Sequence, residues 1–306
     1  MDLQRSALWP RPLTPEDRWW LLEAIYHDPR TYYYPGWTSL KEWLAQGLGW
    51  GLMSDASLVA ALVVVPEADT RAWLRLFMAR GDVPQDLAWR LLWRSAAPVL
   101  RAEGITHVAG LGGRAWVDRF LRQRGFRHEA DLRLLLWRAR VAALPAVAAP
   151  AGVRLEPMTA ADLGAAAAVD REAFPATWRL RPELVRYACQ QARLALVARS
   201  DADGGAVVGY ALFTPSPQGA HLARLAVHPA WQGRGLGRAL VATGLRRLTA
   251  DEPGLWVSVN TEADNHPALR LYAALGFEAQ SPDVPVWVGG LPTEVAAARV
   301  AAWAAR

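Results

Sequence analysis

In the run LAVHPAWQGRGLGRAL, residues 225–240, Gln232 is followed by Gly233, Gly235 and Gly237, with Arg234 and Arg238 among them. The run joins an apolar stretch to a segment of helical periodicity, and such a junction can hold an anion. The first amides of a helix lack intrahelical acceptors, and glycine lets an anion approach them without a Cβ in the way. Two phosphate loops are excluded by the residues that follow. A P-loop needs lysine and then serine or threonine after its last glycine, where this chain has Arg238 and Ala239. A dinucleotide fingerprint needs glycine at its sixth position, where Arg238 or Leu240 stands. What remains is Q-x-x-G-x-G between a strand and a helix, to be read as a pyrophosphate cradle or as a close-packed turn.

The elements that must position this loop follow from periodicity and punctuation. AHLARLAV leads into it as a strand, a helix near 235–249 leaves it, and strand LWVSVN, a helix near 266–274 and a strand near VPVWVG follow. Upstream, LALVA and VVGYALF flank RSDADGG, a hairpin signal. PMTAADLG opens a helix with Thr159 as cap and Asp162 three residues on. The same order occurs earlier in the chain: PLTPED with Thr14 and Asp17, the proline-aromatic turn YYYPGW in place of AFPATW, RLFMARGDVPQDLAWRLL, and FLRQRGF in place of LYAALGF. Matched pairs Thr14/Thr159, Arg75/Arg224 and Gly125/Gly276 lie 145, 149 and 151 residues apart, as an internal duplication would place them. The expected fold is α+β: two similar domains, each a mixed, mostly antiparallel twisted sheet flanked by helices. The expected boundaries are 1–140 for the first domain, an alanine-, valine- and proline-rich linker at 141–152, a second domain at 153–290 and an alanine-rich helix at 291–306.

LARLAV, HPAWQGRGLG, RALVATGL and NTEADNHPALRLYAALGFE together resemble the GNAT superfamily of N-acetyltransferases over about residues 152–290. The resemblance implies that the amides of Gln232, Gly233, Arg234, Gly235, Leu236, Gly237 and Arg238 hold the pyrophosphate of acetyl-CoA as cosubstrate. It further implies that Leu225, Ala226 and Val227 pair with the pantetheine arm through their main chain, that Asn265 lies near the coenzyme, and that Tyr272 is the general acid facing the departing sulfur. The expected reaction is acetyl transfer to a primary amine by direct attack in a ternary complex, with a Val227 amide for the oxyanion. A phenol of pKa about 10 is a weaker acid than a thiol of about 8.5, so Tyr272 acts partly as a hydrogen-bond donor. His221 is the candidate base, with Glu172 or a water chain as alternatives. The acceptor is a small-molecule amine or a protein N-terminus, since REAFPATW is similar to a turn in enzymes of this superfamily that acetylate N-termini.

The first half departs from this pattern. VPQDLA stands in place of QGRGLG, putting Asp86 and Ala88 where the glycines would be, and Leu121 replaces the tyrosine. That half is expected to be a degenerate, catalytically silent copy. The remaining composition is permissive: 52% hydrophobic, 21% charged, and a net charge of +5 scattered over arginines with Lys41 as the one lysine, a pattern without the dense basic stripe that nucleic acid would need. One cysteine, Cys189, excludes an internal disulfide and a cysteine-based metal cluster, and no metal is expected. No apolar run reaches the roughly 18 residues of a membrane span, and MDLQRSALWPRP does not read as a signal peptide, so a cytoplasmic protein without membrane or nucleic-acid partners is expected. A non-catalytic acyl-CoA sensor is the alternative function.

Overall fold

Two local signals set the first elements of each half. In the computed structural model, which describes residues 8–139, 146–217 and 219–291, the main-chain N–H of Thr14 donates to Asp17 Oδ2 and that of Thr159 to Asp162 Oδ2, each at 2.8 Å. Each box is reciprocal, so both helix starts have their leading donors satisfied.

In chain order the elements are β1 (Leu8–Pro12), α1 (Arg18–His27), β2 (Tyr32–Tyr33), α2 (Leu40–Ala45), β3 (Gly49–Ser54), β4 (Ser57–Pro66), β5 (Arg71–Ala79), α3 (Gln85–Ala102), β6 (His107–Leu111) and α4 (Ala115–Gln123). Then come β7 (Arg127–Arg138), β8 (Val153–Pro157), α5 (Leu163–Ala173), α6 (Pro182–Gln191), β9 (Leu194–Ser200), β10 (Ala206–Ser216) and β11 (Gly219–Val227). The last are α7 (Leu236–Asp251), β12 (Trp256–Glu262), α8 (His266–Ala274), β13 (Glu278–Ala279) and β14 (Val284–Gly290). The hairpin at RSDADGG and both late helices fall where the sequence puts them.

The chain forms two compact units: one runs to Glu129 and resumes at Val286, the other is Ala130–Pro285. In the first, the strand order is β1-β3-β4-β5-β6-β14, antiparallel except for β5 with β6. In the second it is β8-β9-β10-β11-β12-β7, antiparallel except for β11 with β12. Both sheets are thus mixed and mostly antiparallel, with helices against them. The units do not follow the expected break at residue 140, because the two halves of the sequence exchange a strand. β7 pairs with β12 from Leu132↔Glu262 to Arg138↔Trp256, and β14 pairs with β6 from Val286↔Leu111 to Gly290↔His107. Alternation fixes which face a strand buries and says little about its partner. Of the expected linker, residues 146–150 have no regular structure and 141–145 lie outside the described residues, as do residues 292–306 of the expected terminal helix.

Period two is plain in β4: Ala60, Leu62 and Val64 pack with α3 residues such as Trp89 and Leu92, while Ala61, Val63 and Val65 pack with Leu21 and Trp43 of α1 and α2. Trp43, Trp50, Trp89 and Trp93 serve this core, with Trp89 and Trp93 stacked at 5.2 Å, whereas Trp9, Trp19 and Trp20 are exposed. The second unit has a core in which Leu236, Leu240, Val241 and Leu245 of α7 meet Ala211 and Phe213 of β10, and this packing anchors the glycine loop.

Candidate acyl-donor and acceptor site

The second unit's sheet is split at its centre. β11 and β12 pair in parallel only from Gly219↔Trp256 to His221↔Ser258, after which β12 continues beside β7 while β11 continues beside β10. From Leu222 to Val227 one edge of β11 therefore has no strand partner among the described residues and faces a fork between the two strands. The N–H of His228 donates to Val208 O, on the β10 side, so by strand alternation the main-chain groups of Val227 and Leu225 point the other way, into the fork. An extended polar chain can add to such an edge as a further strand would.

The glycine loop closes one end of this edge. Gln232 Nε2 donates to Val227 O at 3.0 Å, bracing the loop against the strand it follows. Gly233 and Gly235 have φ of +74° and +81°, the left-handed region, and an added Cβ would meet no atom within 4 Å at either position. Their need for glycine is conformational, and the space beside them is open. Gly237 differs, because a Cβ there would come 3.1 Å from Leu271 Cδ1, so it serves the packing of α7 on α8. Gly235 caps α7 without a side chain, and the N–H of Ala239 to Gly235 O is the first helical bond, which leaves the amides of residues 236–238 facing outward at the positive end of a 16-residue helix. Exposed Arg234, stacked on Trp231 at 4.8 Å, and exposed Arg238 add charge. This arrangement fits a diphosphate.

The far end of the fork is polar. A β-bulge at Ala223 shifts the β10–β11 register, so that Thr214 faces His221 and Leu212 faces Arg224. Three residues apart, His221 and Arg224 thereby share a face. His221 Nδ1 is 2.9 Å from Ser258 Oγ, and burial, only partly offset by hydrogen bonds to Asn260 and at Ser258, holds its pKa below the ordinary imidazole value. Arg224 is clamped by Asp170, which is fully buried on α5: Nε to Oδ2 at 2.7 Å and Nη2 to Oδ1 at 2.8 Å. Tyr210 OH and the N–H of Leu180 also donate to this carboxylate, at 2.6 and 3.0 Å. The network ties the AFPATW turn to the sheet, and Phe174 lies under the Arg224 guanidinium at 3.5 Å. No sequence motif marks Asp170, Tyr210, Ser258 or Asn260, and Arg224 stands out only as a repeat position. Glu172, its alternative base, is exposed.

Tyr272 is buried on α8 in the cluster that contains Leu236, with Leu225, Val227 and Leu271 packed against it, and its ring lies 5.4 Å from Phe277. Burial pushes its hydroxyl pKa up from the ordinary phenol value, so at neutral pH it is a hydrogen-bond donor. Asn265 is the N-cap of α8, its Oδ1 accepting from the N–H of Ala268 at 3.2 Å, a local role that the sequence reading did not assign. Cys189 contacts Met158 Sδ at 3.2 Å and its thiol is pushed up to about 11 by burial, which makes it a poor nucleophile. Among the described residues no group of histidine, cysteine and acid side chains is placed to hold a metal, and no helix is long and apolar enough to cross a membrane.

The first unit has the same split and fills it. β5 pairs with β6 only over Arg71–Trp73, and beyond that β2 inserts, Tyr32 opposite Phe77 and Tyr33 opposite Leu76. Tyr32 is buried and its hydroxyl accepts from the N–H of Leu111 at 2.9 Å, so one side chain bridges the gap. Asp86, which stands where the second unit has a loop glycine, is paired with Arg124 in a cleft of about 420 Å³ that Arg30 and Arg119 also line.

The acetyltransferase (GNAT) family model matches residues 165–277, the stretch that carries the fork, the loop, the clamp and Tyr272. The chain carries a GNAT-family domain. Over 59 residues, 19% of this chain and 17% of the relative, it is 51% identical to a mycothiol acetyltransferase of Nocardiopsis dassonvillei. Over 69 residues, 22% of this chain and 20% of the relative, it is 45% identical to that of Thermobifida fusca. The matched stretch spans about a fifth of the length of these relatives. Among solved structures, a tandem GNAT protein from the clavulanic acid biosynthesis pathway superposes with a TM-score of 0.64 at 20% identity over 94% of this chain and 99% of its own. A GCN5-related N-acetyltransferase from Sphaerobacter thermophilus gives 0.60 at 18% over 94% and 96%. The GNAT fold therefore extends over both units, and the GNAT domain at 165–277 belongs to an acetyltransferase family.

Proposed function

We propose that the GNAT domain transfers an acetyl group from acetyl-CoA to the primary amine of a small molecule. The observation that carries this is the open edge of β11 ending at left-handed glycines on the start of α7. The amides of residues 233–238 hold the diphosphate, and Leu225 and Val227 offer main-chain groups to an extended arm. Bound there, acetyl-CoA supplies a thioester activated for acyl transfer. Because Val227 adjoins the loop and Gln232 occupies its carbonyl, the reacting end of an extended arm lies further along the edge, near the bulge. The N–H of Leu225 is therefore better placed than that of Val227 to stabilise an oxyanion. His221, at the apex of the fork and neutral near pH 7, takes the proton of the attacking amine, and Tyr272 donates to the departing sulfur. Relatives named as mycothiol acetyltransferases favour a small molecule over a protein N-terminus as acceptor. The filled fork of the first unit supports one donor site per chain and a structural role for that unit.

Calorimetric titration of acetyl-CoA into the full chain should show one site. Absence of binding would remove the reading, two sites would contradict the role given to the first unit, and binding without turnover of any amine in an acceptor screen would leave a sensor. Tyr272→Phe should lower turnover by about 10- to 100-fold, at or below the low end for general acid catalysis, with little change in acetyl-CoA affinity. Unaltered steady-state turnover would exclude Tyr272 from the chemistry. Since burial lowers the His221 pKa, protonation begins only below the ordinary value of about 6.5, and the acid limb of kcat should have its midpoint under that pH. His221→Gln should abolish this limb, and a limb that persists in the variant belongs to another group.

A further inference from the structure

A single residue straddles the mouth of the fork. The carbonyl of Trp178 accepts from Arg224 Nη2 at 2.7 Å, which fixes it to the β11 arm, and its indole Nε1 donates to Glu262 Oε1 at 2.8 Å, which fixes it to the last residue of β12. Strand alternation places Glu262 on the same face as Ser258 and Asn260, the face that His221 and Arg224 share. The charges on this face are unbalanced. Arg224 is neutralised by Asp170, and His221 is held neutral near pH 7. Arg133 of β7 is opposite Thr261, on the other face, and is paired with Asp283. Glu262 is half-buried, its Oε1 is engaged by a neutral donor, and it has no cationic partner among the described residues. A carboxylate held in place by a neutral clasp, with no counter-ion among the described residues, is built to receive a cation from outside the chain.

We propose that Glu262, presented by Trp178, is the acceptor-recognition carboxylate of this site, and that it selects acceptors bearing a second, cationic group beside the amine to be acetylated. The proposal rests on the acetyl-transfer reading only for the name of the ligand, since the charge and the clasp are there whatever reaction follows.

The test separates the two. Radiolabelled 1,4-diaminobutane, a dication whose two amines lie a short chain apart, is measured by equilibrium dialysis against the full chain with coenzyme A present, and n-butylamine serves as the monocation. The wild type should bind the diamine about tenfold more tightly than the monoamine. Glu262→Gln, which keeps an acceptor for the Trp178 indole, should remove that preference, Glu262→Asp should restore part of it, and Trp178→Phe should weaken it by freeing the carboxylate. Thermal midpoints of the variants show whether they fold. Equal binding of the two amines by the wild type, or a preference retained in folded Glu262→Gln, overturns the assignment. Loss of acetyl-CoA binding in calorimetry with diamine selectivity intact would overturn the acetyl-transfer reading and leave this site standing.

Discussion

Replacing Gly235 with glutamate should weaken acetyl-CoA binding by at least about 100-fold while leaving the fold nearly intact. At φ of +81° any side chain carries a conformational cost of about 1–2 kcal/mol. Because no atom lies within 4 Å of the added Cβ, steric collision contributes nothing. The larger effect is electrostatic: the substituent is a carboxylate at the positive start of α7, the position proposed for the diphosphate. Calorimetry on the variant reads the affinity, and a denaturation curve should move by no more than the conformational cost. Gly237→Ala is the informative contrast. Its methyl group presses on Leu271, so it should lower stability with less effect on the coenzyme. Unchanged affinity in Gly235→Glu would reduce the glycine loop to a turn.

Asp170→Ala should be the most destabilising polar substitution in the second unit, by about 3–5 kcal/mol, the range found when one partner of a buried ion pair is removed. The carboxylate is fully buried and receives four hydrogen bonds, so its loss strands the Arg224 guanidinium, the Tyr210 hydroxyl and the Leu180 amide together. Urea denaturation checks the magnitude. The double variant Asp170→Ala/Arg224→Met should recover part of the loss, because it removes the uncompensated charge as well as the pair. A single-variant cost below about 1 kcal/mol would mean that water reaches Arg224 readily and that the turn is not clamped as described.

What the sequence made legible was local. Thr159 with Asp162, the glycines after Gln232, and the hairpin at RSDADGG all act within a few residues, so type and spacing carry the geometry. The proposed acceptor face is hidden because its bonds are not local. Asp170 pairs with Tyr210 and Arg224, 40 and 54 positions away, and in sequence it is one polar residue on a helix. His221 and Arg224 read as opposite-facing in a regular strand, and only the bulge at Ala223 brings them together. Asp86 shows the same limit in the first unit, where Arg124, 38 positions on, supplies a charge that the loop itself does not contain.

The exchange of β7 and β14 has a bearing on how the chain can be divided. A protease cut between residues 140 and 150 would yield one fragment that carries β7 without its partner β12 and lacks β14, and another that carries β14 without its partner β6 and lacks β7. Each would expose an unpaired central edge, an invitation to aggregate. The two fragments should therefore be insoluble when produced singly and should reconstitute when produced together. A rearranged gene that joins 8–129 directly to 286–291 is the shorter route to a separable first unit.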